Sequence, residues 1–423
     1  MNGKTDSNNP SPERPAAEAD SILSGGHRRK RNLSLGAALG IGIVLLVAGI
    51  GVGVLVQQDV LNPGNVGQSG VTTQTITETG STLLGPLFEI WGPNYTKLNP
   101  NVQVAPDLTG SGAGISQAEA GTVDIGATDA YLTPATAAQY HLINVPVAIS
   151  AQLAMYNLPG LNNVHLNLNG TVLAKIYSGV ITNWNDPEIQ AANPGVSLPN
   201  NPIVVVHRSD GSGDTFMWTS MMYLSWSGWN YSYGTSVKWL STSLGYNGNG
   251  GVVTGLSKQS YTIGYVGISW LNQAEAYGLG YAALGDQAAN VDGTNPANYI
   301  LPSSANISQD ASLGLQNLQP PSVAVSLILG GVAGATNLHT PGQGGTMPTA
   351  QYPTPYPDVN LEYTLISTQP KDAVHQKYVV QFLEWALAHG NNAVYLNQVY
   401  FLPLTPAIIG YDMQALATVP ISG

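Results

Sequence analysis

The sequence predicts an α/β fold, and three observations carry that prediction. Apolar segments with the twofold alternation or the unbroken Val/Ile run of a strand recur along the chain, as in TQTITETG (73–80) and IVVV (203–206). Between them lie stretches with helical spacing of Leu, Phe, Ile and Trp, as in LLGPLFEIWGPNYTKL (83–98). At three places a glycine beside a hydroxyl residue separates such a strand from such a helix. With 423 residues, 43 % of them hydrophobic, the chain can hold one large domain or two ordinary ones with packed cores.

Taken in order, TQTITETG is a strand and 83–98 a helix. VQVAPDL (102–108) is a second strand, followed by a helix through Ile115–Ala120. VDIGATDAYLT (123–133) reads as strand and loop, and VPVAISAQLAMYNL (145–158) as buried strands. IVVVHRSDGSGDTFMWTSMMYL (203–224) is a strand, a Gly/Ser turn and a helix. Residues 331–358 form a long Gly/Pro-rich loop. LEYTLIST (361–368) is another strand, and AVHQKYVVQFLEWALAHG (373–390) an amphipathic helix closed by Gly390.

The N-terminal part is different in kind. Residues 1–32 are rich in Pro, Ser and acidic residues and read as a disordered tail ending in the basic cluster Arg28-Arg29-Lys30-Arg31. The uncharged run Leu33–Val56 follows, about 36 Å long as a helix and so able to span a bilayer. The basic cluster puts the tail in the cytosol and everything after Val56 outside, across a linker at 57–72. The competing reading is a cleaved signal segment, after which the protein would be secreted.

Charge is scarce, at 9 % of residues, and unevenly placed. Of the 13 Lys and Arg, six lie in residues 1–32; the seven beyond are six lysines and Arg208, against 20 of the 24 acidic residues. Such a surface repels nucleic acid. The absence of cysteine excludes disulfides, thiolate chemistry and a lipid-modified N-terminal cysteine.

The three turns are Gly80-Ser81-Thr82, Gly110-Ser111-Gly112 and Gly211-Ser212-Gly213. A Ser or Thr at a helix start accepts from orphan amides, glycine lets the backbone approach a ligand, and the helix dipole favours an anion. Arg208 ends the strand beside the third turn, and its guanidinium suits a bidentate oxyanion. A salt bridge to Asp210 or Asp214 is compatible with that role. Asp129, in GATDA, and Asp214, in GSGD, would repel a fully ionised anion. They fit a ligand that carries an O–H, because a carboxylate accepts a hydrogen bond and does not donate one. Hydrogen phosphate has such a group and sulfate has none, a distinction worth about 10⁴–10⁵ in selectivity.

These same segments resemble the phosphate-binding subunit of bacterial and archaeal ABC phosphate importers. The resemblance runs from about Gln74 to the C-terminus through ETGSTLLGPLFEIW, LTGSGAGISQAEAGTVDIGATDAYLT, YNLPGL, IYSGVITNWNDPEI, VVVHRSDGSGDTF, NGNGG and IGYVGISWL. It implies a two-lobed periplasmic-binding-protein fold of the Venus-flytrap kind, type II-like, with lobe I from 73–153 and 357–423 and lobe II from 154–356. It further implies that Thr82 donates its hydroxyl, Leu83 its amide, and Ser111 both. Asp129 would accept the phosphate proton, Arg208 would bind the anion with Asp210 as its ion-pair partner, and Ser212 and Gly213 would form the third helix start. Asp214 stands where many members have Thr. As a second acceptor it would suit H₂PO₄⁻, so affinity is expected to hold or rise as the pH falls below about 7. The implied partners are inorganic phosphate and the importer's membrane subunits; no cofactor or metal is expected, and the chain is expected to be monomeric.

Two other readings compete. A receptor for sulfate, molybdate or tungstate is opposed by Asp129. A serine hydrolase would use Ser111 or Ser212 with His207 as base, yet neither serine sits in a G-x-S-x-G elbow and His207 points away from Arg208 along its strand.

Overall fold

The computed structural model describes residues 73–285, 287–315 and 356–422. The expected tail, membrane segment and linker, and nearly all of the Gly/Pro-rich loop, lie outside the described residues. Among the described residues no helix is long and apolar enough to cross a membrane.

The strands are β1 (Gln74–Gly80), β2 (Val102–Asp107), β3 (Ile125–Thr128), β4 (Leu142–Asn157), β5 (Asn167–Asn169), β6 (Val204–Arg208), β7 (Leu244–Tyr246), β8 (Thr262–Gly267), β9 (Gly280–Tyr281), β10 (Ala283–Gly285), β11 (Tyr299–Ile300) and β12 (Val359–Ser367). The main sheet runs β2-β1-β3-β12-β4-β8-β6-β7, with β9 on the end of β4; a small sheet holds β11-β10-β5. β1 pairs in parallel with β2 and β3, and β6 in parallel with β7 and β8. The helices that matter for the site are α1 (Gly85–Leu98), α2 (Ser111–Ala120), α3 (Pro134–Tyr140), α4 (Gly170–Tyr177), α5 (Pro187–Ala192), α6 (Gly213–Ser225) and α7 (Gly248–Lys258).

The apolar run at 145–158 is one strand of 16 residues rather than several. It pairs antiparallel with β12 from Leu142 to Ala151, then with β8 from Gln152 to Asn157. β4 therefore hands the chain from one half of the sheet to the other at Ala151/Gln152. Buried on both faces along Val145–Tyr156, it has the unbroken apolar character of a central strand, with Ser150 and Gln152 as polar exceptions. β12 breaks the pattern more strongly. Asn360, Glu362 and Thr364 alternate with Leu361, Tyr363 and Leu365, yet all six are fully buried. A polar strand face without solvent points inward to a site.

α1 carries Pro86 in its first turn, a favoured place for proline, and buries Leu87, Phe88, Trp91 and Tyr95. α2 begins at Ser111, four residues before the expected Ile115. Gly112 and Gly114 hide this first turn from a propensity reading, and packing against β1 and β3 fixes it. α6 is buried on every side from Gly213 to Met222, as befits a helix lying between sheet and loops. The expected helix at 373–390 is α-helical over Ala373–Trp385, capped by Asp372, and ends in a π turn, Ala386–Gly390. Trp91 docks there, its Nε1 donating to the Gly390 carbonyl at 3.1 Å. Asn169 opens an Asn-Gly-Thr sequon but is closed to a glycan: it is buried, and its amide donates to the Ala289 carbonyl.

One core residue gives a stability test. Asp412, on the helix Pro406–Leu416, is buried with no hydrogen-bond partner on either oxygen, and burial pushes its carboxyl up to about 8. The unfolded chain releases this proton near pH 4, so between about pH 4 and 8 rising pH favours the unfolded state. Asp412→Asn is expected to leave the thermal midpoint almost unchanged at pH 4 and raise it by several degrees at pH 8. An equal gain at both pH values would rule out the buried carboxyl as the cause.

Candidate functional site

Three helix starts meet at one carboxylate. At α1, the Ser81 hydroxyl accepts from the amides of Leu83 (3.1 Å) and Leu84 (3.0 Å) and donates to Asp129 Oδ1. At α2, Ser111 Oγ donates to Asp129 Oδ2 at 3.2 Å and accepts from the Asp129 amide at 3.3 Å. At α6, Ser212 caps the helix by accepting from the Thr215 amide at 3.3 Å. The next residue, Gly213, lies so close to Asp129 that a Cβ would sit 2.4 Å from Oδ2, which requires glycine there. Two of the helix starts also touch directly, the Gly112 amide donating to the Gly211 carbonyl at 2.8 Å.

Arg208 closes the other side. Its Nε donates to Asp210 Oδ1 at 2.8 Å, its Nη2 pairs with Asp210 Oδ2, and its Nη1 pairs with Asp214 Oδ2. Tyr265 fixes the strand end by accepting from the Arg208 amide at 3.0 Å. A guanidinium has five N–H donors and three are directed at carboxylates, so one N–H on each Nη remains for a ligand. The start of α2 lies beside this pair: a Cβ on Gly110 would be 2.3 Å from Asp210 Oδ2 and 3.4 Å from Arg208 Nη2. Both salt-bridge partners considered from sequence, Asp210 and Asp214, are thus engaged.

Thr82 and Leu83 sit in the first turn of the same region. The Thr82 hydroxyl accepts from Asn249 twice, from its amide at 3.1 Å and from Nδ2 at 3.0 Å, so its own proton is left to donate. The Leu83 amide points to Ser81 Oγ, and its carbonyl accepts from Ser269 Oγ at 2.7 Å. Asp214 is more committed than sequence suggested. Oδ1 accepts from Gln152 Nε2 at 3.1 Å, and Oδ2 accepts from Arg208, from Asn249 Nδ2 at 2.9 Å and from Ser212 Oγ at 3.2 Å. A carboxylate so occupied orients Arg208 and has little capacity for a ligand proton.

The charges follow from this packing. Burial first, then the charge of Asp214, pushes the Asp129 carboxyl up to about 6; hydrogen bonds from Glu362 and Ser81 and the Arg208 charge hold it from rising further. Burial opposes the Arg208 charge, but Asp210 and Asp214 overcome it and hold the guanidinium more firmly protonated than usual. Asp210 also loses solvent, yet Arg208 and the Gly248 amide hold its carboxyl below the usual range. His207 is no base for either serine. Its ring stacks on Trp239 at 5.1 Å, its Nδ1 lies 2.8 Å from the Arg208 carbonyl, and burial lowers its proton affinity. Among the described residues no group of His, Asp and Glu is arranged to hold a metal ion.

All the residues singled out from sequence therefore come together: Thr82, Leu83, Ser111, Asp129, Arg208, Asp210, Ser212, Gly213 and Asp214. Sequence reasoning missed Asn249, which bridges Thr82 and Asp214 while its Oδ1 accepts from the Gly267 amide at 2.9 Å. It also missed Gln152 and the β12 face. The polar breaks in otherwise apolar strands were the available signal.

The chain is similar to known proteins in sequence and fold. A family model described as a PBP superfamily domain matches residues 66–316. The chain is 32 % identical over 338 residues to the phosphate-binding protein PstS of Pasteurella multocida, covering 79 % of this chain and 88 % of that one. It is 30 % identical to PstS of Haemophilus influenzae, covering 79 % and 90 %. Among solved structures, a high affinity periplasmic phosphate-binding protein bound with phosphate at pH 8.5 superposes with TM-score 0.60 at 21 % identity, over 79 % of this chain and 92 % of that one. A human phosphate binding apolipoprotein does so with TM-score 0.60 at 20 % identity and the same coverage. The two structural likenesses establish the two-lobed α/β fold of periplasmic binding proteins. With the sequence matches beside them, the chain belongs to the PBP superfamily and, within it, to the PstS phosphate-binding proteins.

Proposed function

We propose that this protein captures inorganic phosphate outside the cell and delivers it to the membrane subunits of an ABC phosphate importer. The observation that carries this reading is the junction itself: three helix starts and one doubly anchored guanidinium packed around a buried Asp129. Phosphate would take the two remaining Arg208 N–H groups, the Thr82 hydroxyl and the amides of Ser111 and Gly213, and the Leu83 amide and the Ser212 hydroxyl would join by leaving Ser81 and Asp214. Its own O–H would donate to Asp129. Asp210 and Asp214 would orient Arg208. Like its relatives, the protein is a binding protein and not an enzyme, which sets the hydrolase reading aside; Asp129 opposes the sulfate-type reading.

The lobes would be 73–153 with 357–423, and 154–356, joined where β4 changes partners. Phosphate would enter the open cleft and the lobes would rotate shut over it, exchanging water for fixed donors. Residues 33–56 would anchor a monomeric receptor beside its importer and raise its effective concentration there. Retention in carbonate-washed membranes tests the anchor, and recovery in the wash would overturn it. Isothermal titration of the protein at pH 7.5 tests the main reading. Saturable phosphate binding that a large excess of sulfate leaves intact is expected, and the absence of a phosphate signal would overturn it.

A further inference from the structure

Glu362 belongs to no helix start and carries no expected role, yet it is fully enclosed beside the site. It lies mid-strand in β12, fully buried. Its Oε1 accepts from Ser150 Oγ at 2.5 Å. Its Oε2 meets no donor, and the antiparallel register of β12 with β3, Tyr363 opposite Thr128, sets Glu362 beside Asp129, with which its carboxyl interacts. Two ionised carboxylates in so dry a place repel each other strongly, and a proton on one turns that repulsion into a hydrogen bond. The charged groups around the pair are Asp214 from α6 and Arg208 from β6, and Arg208 is already paired with Asp210 and Asp214. Ser150, from β4, is neutral.

We propose that Glu362 is a positioning residue that keeps its own proton and donates it to Asp129, holding Asp129 as an acceptor for the ligand's O–H. This rests on the phosphate reading above. The assignment of the proton to Glu362 follows from surroundings. Asp129 receives Ser81 and Ser111 hydroxyls and lies near Arg208, all of which favour its ionised form. Glu362 receives one hydroxyl only. Burial, then the Asp129 charge, accordingly raises its proton affinity well above the ordinary value. An ionised carboxylate offers about four acceptor positions. Ser81, Ser111 and Glu362 fill three of them, which leaves one for a ligand O–H. The same strand fixes the Asp129 backbone, since Asn360 Nδ2 donates to the Asp129 carbonyl.

The consequence is one of specificity. Without the Glu362 donor, Asp129 would bind a proton nearer neutrality and become a donor itself. A donor at that point accepts sulfate as readily as phosphate. The full-length protein with Glu362→Gln and with Glu362→Leu tests this by titration with phosphate and competition by sulfate at pH 7. Gln retains both an acceptor for Ser150 and an N–H for Asp129, so it is expected to behave as the unsubstituted protein does. With Leu, phosphate affinity should change little while sulfate competes roughly tenfold better or more. An infrared difference between the unsubstituted protein and Glu362→Gln at pH 8 should show the loss of one protonated-carboxyl C=O band. An unchanged sulfate ratio in the Leu variant, or no lost band, overturns the proposal. If the Leu chain does not fold, the infrared difference with isosteric Gln decides alone. Failure of the unsubstituted protein to bind phosphate would instead sink the receptor reading, while the infrared band still reports where the proton sits.

Discussion

Arg208→Ala is expected to abolish measurable phosphate binding and to lower folding stability by about 3–5 kcal/mol, the loss found when one partner of a buried ion pair is removed. The size follows from what remains. Asp210 and Asp214 would face each other without a cation, and Asp129 would lose the one positive charge near it. Arg208→Lys separates the two effects. A single ammonium keeps the charge but does not reproduce the fork that holds Asp210 through Nε and Nη2 while reaching Asp214 through Nη1. Lys should therefore recover much of the stability and still bind phosphate roughly 100-fold more weakly. Urea unfolding and calorimetric titration of both variants check this. Binding by Arg208→Ala within tenfold of the unsubstituted protein would show that the guanidinium is not a ligand.

Asp129→Asn should change which anion binds rather than whether one binds. The carboxamide presents an N–H where the carboxylate presented only acceptors, so sulfate gains a partner and phosphate keeps one. Discrimination of about 10⁴–10⁵ should shrink to about 100-fold or less, read as sulfate competition at pH 8. The unsubstituted protein should show a weaker version of the same effect in acid. Its Asp129 carboxyl lies at about 6, so above that pH it is ionised and rejects sulfate, and below it the group carries a donor proton. Sulfate competition is expected to appear as the pH falls through 6 and to be flat with pH in Asp129→Asn. A flat profile in both proteins would remove Asp129 from the selectivity. An affinity that rises in acid loses its second support here, because the Asp214 oxygens are occupied by Arg208, Asn249, Ser212 and Gln152.

The parts of this molecule that sequence revealed are those in which chemistry is local. A hydroxyl beside glycine at a helix start, an arginine at a strand end and a run of Val and Ile each declare themselves within a few residues. The three glycine–hydroxyl turns, Arg208 beside the third of them, and the α/β order could be read that way. The long-range parts could not. That VPVAISAQLAMYNL is one strand serving two halves depends on partners more than a hundred residues away, β8 and β12, and within the run only the polar Ser150 and Gln152 stand at the change. Glu362 in LEYTLIST looks like the solvent side of an alternating strand, and only the covering of both faces shows that it is buried. Asn249 lies in NGNGG, where glycines suggest a loop; it is at the start of α7 and reaches 167 positions along the chain to Thr82. The start of α2 was misplaced because glycine lowers intrinsic helix propensity and tertiary contact restores the turn.

The amide of Gly112 and the carbonyl of Gly211 meet with no side chain between them, and a methyl on Gly112 would lie 2.9 Å from the Gly211 Cα. In the proposed cycle this makes closure an all-or-nothing fit of bare backbone, with no cushion that could yield by degrees. A single added carbon there would act as a chock. The receptor would keep every group that binds its anion and still be unable to shut. In that cycle full and empty receptors would differ in outline at this contact, and a membrane partner could tell them apart by shape.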